Sequence, residues 1–242
     1  MEKSVEIYPT AYELAEKFAE ELAGLITESA KKKRKLTVAL SGGSTPELLF
    51  SILGDHFSQS VPWEYVHFFW GDERCVPPDD PDSNYGMTRR DLFNKIDIPP
   101  ANIHRIRGED DPGKEVLRYS AEISEFTLSR EGIPRFDLII LGLGEDGHTA
   151  SIFPGQEGLL RSDKICELAC HPFSGQNRIT ITGRVINNAE SVVFMVTGNK
   201  KAQIVEKIIN KNPLSGNFPA SHIGPSSGML RWLLDDESGS ML

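Results

Sequence analysis

Cysteine is scarce in this chain. Three residues, Cys75, Cys166 and Cys170, stand among 242, and so odd and sparse a count excludes a disulfide framework. Cys166 and Cys170 lack the spacing and the histidine partners of a zinc site, so all three are expected as small packed thiols in a reducing compartment. Long apolar runs are missing as well. No segment reaches the ~20 residues that a bilayer span needs, and the N-terminal residues lack the apolar stretch of a signal peptide. The expectation is a cytoplasmic protein without membrane attachment. Positive charge is in deficit: 26 Lys and Arg against 35 Asp and Glu leave a net −9. Such a chain has no global attraction for nucleic acid or an anionic membrane. Any anion it binds must be held by a local site of amides, Arg and Lys. Internal repeats, low-complexity tracts and long linkers are absent too. What remains is ordinary globular composition, 39% hydrophobic and 25% charged. The length suits one large α/β domain, residues 1–242, with a core of its own.

Hydrophobic periodicity then divides the chain. Thr10 and Glu13 have the form of a capping box, and Ala15, Phe18, Ala19, Leu22, Leu25 and Ile26 recur at helical spacing behind it. That helix is expected to end near the basic run at residues 31–35, where cations favour a helix C-terminus. A strand at 36–40 runs into Ser41-Gly42-Gly43-Ser44-Thr45-Pro46, with Pro46 expected as the first helical residue and Thr45 or Ser44 as its cap. A second strand at 66–70 ends at Gly71-Asp72-Glu73-Arg74, and a Pro- and Asp-rich irregular stretch follows at 76–82. Ser83 starts a helix through Leu92, and another helix is expected over 114–130. A third strand at 136–141 enters Gly142-Leu143-Gly144-Glu145-Asp146-Gly147-His148. Further strands are expected at 178–182, 191–197 and 231–234, with a helix at 200–209 and a loop at 213–225. The strands alternate with helices and are continuously apolar. Both features predict a three-layer α/β/α fold, Rossmann-like, around a mostly parallel sheet.

In open α/β sheets ligands bind beyond the carboxyl ends of the strands, and three polar loops lie at such ends here. The loop Ser41, Gly42, Gly43, Ser44, Thr45 suits a phosphate, because glycines admit close approach, hydroxyls donate, and the next helix offers free N–H groups. It is neither a Walker A loop nor a G-x-G-x-x-G fingerprint, and by itself it also reads as a plain strand-to-helix turn. Asp146, flanked by glycines, and His148 sit on a tight turn at a strand end. Imidazole titrates near ~6.5, so it can take a proton from water at neutral pH, and a nearby carboxylate can fix its tautomer. Asp72, Glu73 and Arg74 bring both charge signs to the second strand end, with a surface ion pair as the bland reading. No H-E-x-x-H or similar ligand spacing exists, so no metal is expected. No G-x-S-x-G elbow supports a serine nucleophile.

These residues resemble the 6-phosphogluconolactonases, in the superfamily they share with glucosamine-6-phosphate deaminases. The resemblance rests on residues 40–46, on Trp70 to Pro77 with Ser83-Asn84-Tyr85, and on the long segment Leu141 to Pro154. Asn177 to Thr180, Thr197 to Ala202 and Ser227 to Asp235 fit as well, so nearly the whole chain is covered. The resemblance implies hydrolysis of 6-phospho-D-glucono-1,5-lactone to 6-phosphogluconate, with no cofactor. It implies His148 as general base, Asp146 as its orienting carboxylate, and Arg74 facing the lactone carbonyl or a nearby oxygen. It implies that Ser41, Gly42, Gly43, Ser44, Thr45, Arg178 and Lys201 hold the phosphate, with Lys201 preferred to Lys200. Asp72 and Asn84 join the substrate-binding set. The expected partner is a small phosphosugar lactone, and the expected state a monomer or small homo-oligomer.

Two other readings compete. The deaminases share the S-G-G loop and the D-G-H motif, but their pattern continues with I-A-F-N-E-P. Here Thr149-Ala150-Ser151-Ile152-Phe153-Pro154 supplies no such carboxylate. A non-catalytic phosphosugar sensor would carry a helix-turn-helix domain, for which a chain entering its first helix by residue 11 leaves no room. Asp146 and His148 also favour catalysis over sensing.

Overall fold

The structure, a computed structural model, describes residues 2–211 and 216–242. The strands are β1 (Glu2–Tyr8), β2 (Leu36–Leu40), β3 (Val66–Trp70), β4 (Asp72–Arg74), β5 (Leu128–Arg130), β6 (Ile133–Arg135), β7 (Leu138–Leu141), β8 (Cys166–Cys170), β9 (Asn177–Ile181), β10 (Ser191–Val196) and β11 (Met229–Asp235). The helices are α1 (Ala11–Lys31), α2 (Ser44–His56), α3 (Asn84–Thr88), α4 (Pro112–Phe126), α5 (Gly158–Arg161), α6 (Gly183–Ile186) and α7 (Ala202–Ile209). Six strands form one parallel sheet in the order β1-β11-β10-β7-β2-β3.

Both faces of that sheet are covered, as its continuously apolar strands predict. Side chains alternate along β3. Phe68 meets Phe93 beyond α3, with ring centroids 5.7 Å apart. Phe69 turns the other way, to Tyr119 of α4 and to Phe136. Tyr119 also locks α4 to the strand, because its hydroxyl donates to Trp70 O at 2.9 Å and accepts from Trp70 N at 2.8 Å. α1 lays Leu14, Phe18, Leu22 and Ile26 into the core, each at most 1% exposed.

Helix termini follow their local chemistry. Thr10 caps α1 by accepting from Glu13 N at 3.1 Å. The basic run is absorbed where α1 ends. Lys31 pairs with Glu28 and Arg34 with Asp137, and Lys35 donates to Asn102. The start of α2 corrects an expectation. Gly43 is the cap, at φ 103°, so Ser44 is the first helical residue and Pro46 the third. Ser83 caps α3 as expected, and the coil continues as a wide π turn, Arg89–Phe93. α4 stops at Phe126, short of the expected 130, because Leu128–Arg130 pairs with Ile133–Arg135 as a hairpin.

The main departure is a second sheet. Asn177–Ile181 does not join the parallel array. It lies in a three-stranded antiparallel sheet ordered β4-β9-β8. Gly71 is the joint between the two sheets, its N–H donating to Leu40 O and its carbonyl accepting from Ile181 N, both at 2.8 Å. Cys166 is buried, Cys75 half-buried and Cys170 exposed, so the packed-thiol expectation fails for Cys170. Among the described residues the 213–225 loop carries 3-10 turns, at 216–217 and at Pro219–His222; positions 213–215 lie outside them. No described helix is long and apolar enough to cross a membrane.

Candidate active site

The chain winds in opposite directions from the middle of the sheet. β2 leads outward to β3, and its other neighbour β7 leads through β10 to β11. Loops after strands that diverge in this way open a crevice. A cavity of about 240 Å³ lies there, lined by the loops after β2 and β7.

One wall is the N-terminus of α2. Ser41, Gly42, Gly43, Ser44 and Thr45 all line the cavity. The cap Gly43 has no side chain and Pro46 has no N–H, so the N–H groups of Ser44 and Thr45 are left for an anion. Thr45 Oγ1 lies 2.7 Å from Thr197 Oγ1, which ties this turn to the end of β10. Lys201 also lines the cavity. Burial pulls its pKa down, Glu145 and Asp146 pull it back up, and the net direction is down. Lys200 is exposed and lies outside the lining.

A second wall comes from the small sheet. Arg74 of β4 and Arg178 of β9 are directly opposite each other and both line the cavity. Like charges in register oppose folding. Burial first, and Arg74 second, lower the pKa of Arg178. Arg178 Nε is buried without a partner, and no described residue hydrogen-bonds its guanidinium. Arg74 donates to Asp82 O at 2.5 Å, but its Nε is likewise buried and unpartnered. Two adjacent guanidinium groups with unmet donors make a site that an anion would complete.

The third wall carries the acid–base group. His148 faces the cavity. Its Nδ1 lies 2.6 Å from Asp146 Oδ1, which also accepts from the His148 backbone N–H at 3.1 Å. Burial works to raise the Asp146 pKa, but the His148 contacts and backbone N–H groups outweigh it and hold the carboxyl below its ordinary range. Asp146 stands behind the imidazole, outside the cavity lining. With Nδ1 engaged, Nε2 is the nitrogen left for chemistry. Gly144 makes this pair possible, since a Cβ there would lie 2.1 Å from His148 Nδ1 and 2.5 Å from Asp146 Oδ1.

Asp72 and Asn84 complete the lining. Asp72 Oδ2 accepts from the fully buried Ser151 at 2.5 Å, and Asn84 Nδ2 donates to Asp72 O at 2.8 Å. Every residue expected at the site thus lines one cavity or, for Asp146, backs it. No role follows from the sequence for Ser151 and Thr197, although each is a hydroxyl within a segment that carries the resemblance, Leu141 to Pro154 and Thr197 to Ala202. No group of three or more His, Cys, Asp or Glu that could hold a metal occurs among the described residues.

Comparison with known proteins agrees with this geometry. The model of the family described as glucosamine-6-phosphate isomerases/6-phosphogluconolactonase matches residues 9–232. A 6-phosphogluconolactonase of Aggregatibacter actinomycetemcomitans is 40% identical over 236 residues, 97% of this chain and 98% of that one. One of Synechocystis is 42% identical over 219 residues, 90% and 89% of the two chains. The solved 6-phosphogluconolactonase of Trypanosoma brucei superposes with a TM-score of 0.86 at 27% identity, covering 100% of this chain and 99% of that one. This chain belongs to the glucosamine-6-phosphate isomerase/6-phosphogluconolactonase family.

Proposed function

We propose that this protein hydrolyses 6-phospho-D-glucono-1,5-lactone to 6-phospho-D-gluconate, a step of the oxidative pentose phosphate pathway. The observation that carries the reading is an imidazole oriented by a carboxylate, His148 on Asp146, facing a cavity whose other walls are cationic. The substrate has the matching halves, an electrophilic carbonyl and a dianion.

The phosphate sits against the N–H groups of Ser44 and Thr45, the hydroxyls of Ser41, Ser44 and Thr45, Arg178 and Lys201, and Asp72 and Asn84 hold the sugar. His148 Nε2 takes a proton from water as its oxygen bonds to C1. Arg74 stabilises the oxyanion that develops on the carbonyl oxygen, an effect worth about 3 kcal/mol per donor in comparable sites. The C1–ring-oxygen bond then breaks, and the imidazolium returns the proton to that oxygen. Asp146 keeps Nδ1 protonated throughout and balances the transient positive charge. Binding energy from the distant phosphate orients C1. Thr149 to Pro154 offers no carboxylate for the ring opening that deamination needs, which favours the lactonase over the deaminase. We further propose a single domain over residues 1–242, acting as a monomer or small homo-oligomer. Three unpaired cysteines fit action in the cytoplasm.

The test generates the lactone in situ with glucose-6-phosphate dehydrogenase and couples its product to 6-phosphogluconate dehydrogenase, with the spontaneous rate subtracted. Acceleration by the wild type supports the reading. None, together with release of ammonia from glucosamine 6-phosphate, would replace it with the deaminase.

A further inference from the structure

Four hydrogen bonds converge on one carboxylate behind the cavity. Side chains alternate along β4, so Asp72 and Arg74 line the cavity while Glu73 points away and is 2% exposed. Its Oε1 accepts from the backbone N–H of Arg74 at 2.9 Å and of Asn84 at 2.7 Å. Its Oε2 accepts from Tyr85 N–H at 2.8 Å and from the Ser83 hydroxyl at 3.1 Å. Ser83 Oγ in turn accepts from Gly86 N–H at 2.9 Å. The first three N–H groups of α3 are all satisfied by this pair of side chains. α3 and the π turn that continues it span only residues 84–93, too short a coil to be stable in isolation, so the carboxylate at its start helps set where it stands. Both ends of the clamp carry a cavity residue, Arg74 on one and Asn84 on the other.

A buried carboxylate that served packing alone would be costly. Burial pushes the Glu73 pKa up to about 7, against the pull of the Tyr85, Asn84 and Arg74 N–H groups and with a further push from Asp72. Beyond its own strand, Arg178 on β9 and Cys75 feel its charge. No ion pair neutralises it among the described residues.

We propose that Glu73 is a positioning residue, clamping β4 to α3 so that Arg74 and Asn84 hold their places in the cavity wall. The proposal takes its substrate from the lactonase reading above, but its geometry stands apart from that reading.

Glu73→Gln is the sharp variant, because an amide offers one acceptor oxygen where the carboxylate offers two, and its NH2 faces donors. We expect kcat/KM for the lactone to fall about tenfold or more in protein that still unfolds cooperatively. In an Arg74→Ala/Asn84→Ala background the same substitution costs nothing further, because its route of action is already gone. A full, additive loss in that background overturns the proposal, as does a lowered Tm with unchanged kcat/KM. Ser83→Ala removes one of the four donors and serves as the milder variant if Glu73→Gln does not fold; the same coupling is expected, at smaller size. Amide hydrogen exchange at Asn84 and Tyr85 needs no substrate. It accelerates in either variant if the clamp exists, and unchanged exchange overturns the clamp whatever the wild type hydrolyses. A wild type inactive on the lactone, with accelerated exchange in the variants, refutes the functional reading alone.

Discussion

At the scale of single residues, the cavity contrasts groups that are held with groups that are left unmet. His148 is held, by Asp146 at 2.6 Å. His148→Ala is expected to lower kcat by about 10²–10⁴-fold in a folded protein, read in the coupled assay; a smaller loss would remove His148 as the base. Gly144→Ala should act in the same direction without touching a reactive group, since its Cβ intrudes on both partners of the pair. Arg178 is unmet. Replacing it with Met removes a like charge and a buried unpartnered Nε, so KM should rise while the ligand-free protein gains up to about 1 kcal/mol in urea unfolding. Lost stability with unchanged KM would refute the phosphate role. His148, Asp146 and the loop at 41–45 were legible because they lie in glycine-rich loops at strand ends, whereas Arg178, inside β9, and Lys201 were reached only through the family resemblance. Ser151 and Thr197 were not legible, because a hydroxyl near such a loop carries no signal of which partner it meets across the fold.

Elements were legible where periodicity decided them and obscure where pairing did. The apolar runs 36–40 and 191–197 correspond to central strands and 66–70 to an edge strand, all of them buried by packing on both faces. β1, β4, β5, β6 and β8 were not foreseen, because what defines each is the strand it pairs with rather than an apolar run of its own. Asp72-Glu73-Arg74 read as a charged strand end, and a surface ion pair was the bland alternative. Paired with β9, it becomes a strand whose alternation buries Glu73 and exposes its neighbours to the cavity. That burial has a titration consequence. The Glu73 pKa is about 7 in the fold against an ordinary 4.5. A raised acid favours its neutral form, so its contribution to stability is fully present below pH ~4.5 and is lost as pH rises through ~7, an effect on the order of 3 kcal/mol. The wild type should therefore lose stability over this window relative to Glu73→Gln, in which that site does not titrate. Asp146 shifts the other way but is common to both proteins, so it cancels. Parallel stability curves would contradict the burial of a titrating carboxyl at this position.

For the molecule as a whole, the α/β/α layering followed from composition and order of elements, but the strand order did not. A sheet order of β1-β11-β10-β7-β2-β3 pairs the first strand with the last, and no local pattern records that. One apolar core nevertheless runs from α1 through the parallel sheet to β9. Thermal unfolding followed by far-ultraviolet and near-ultraviolet circular dichroism should coincide in one transition; two transitions would divide the chain into separate domains. Phosphate should raise the midpoint in proportion to RT ln(1 + [L]/Kd), despite the net charge of −9.

The pairing of first strand with last bears on how the chain is made. Among the described residues β1 pairs with no strand but β11, in register from Glu2↔Met229 to Tyr8↔Asp235. On a ribosome, β1 emerges before its partner and waits while the residues between Tyr8 and Met229 are read, on the order of ten seconds or more at about 5–20 residues per second. Charged Lys3 and Glu6 among its apolar residues suit such a wait, as charges blunt an unpaired edge. Arrested nascent chains ending before residue 229 should therefore leave β1 open to protease, and chains released after 235 should protect it; protection in the shorter chains would mean that some other segment shields β1 in the interim.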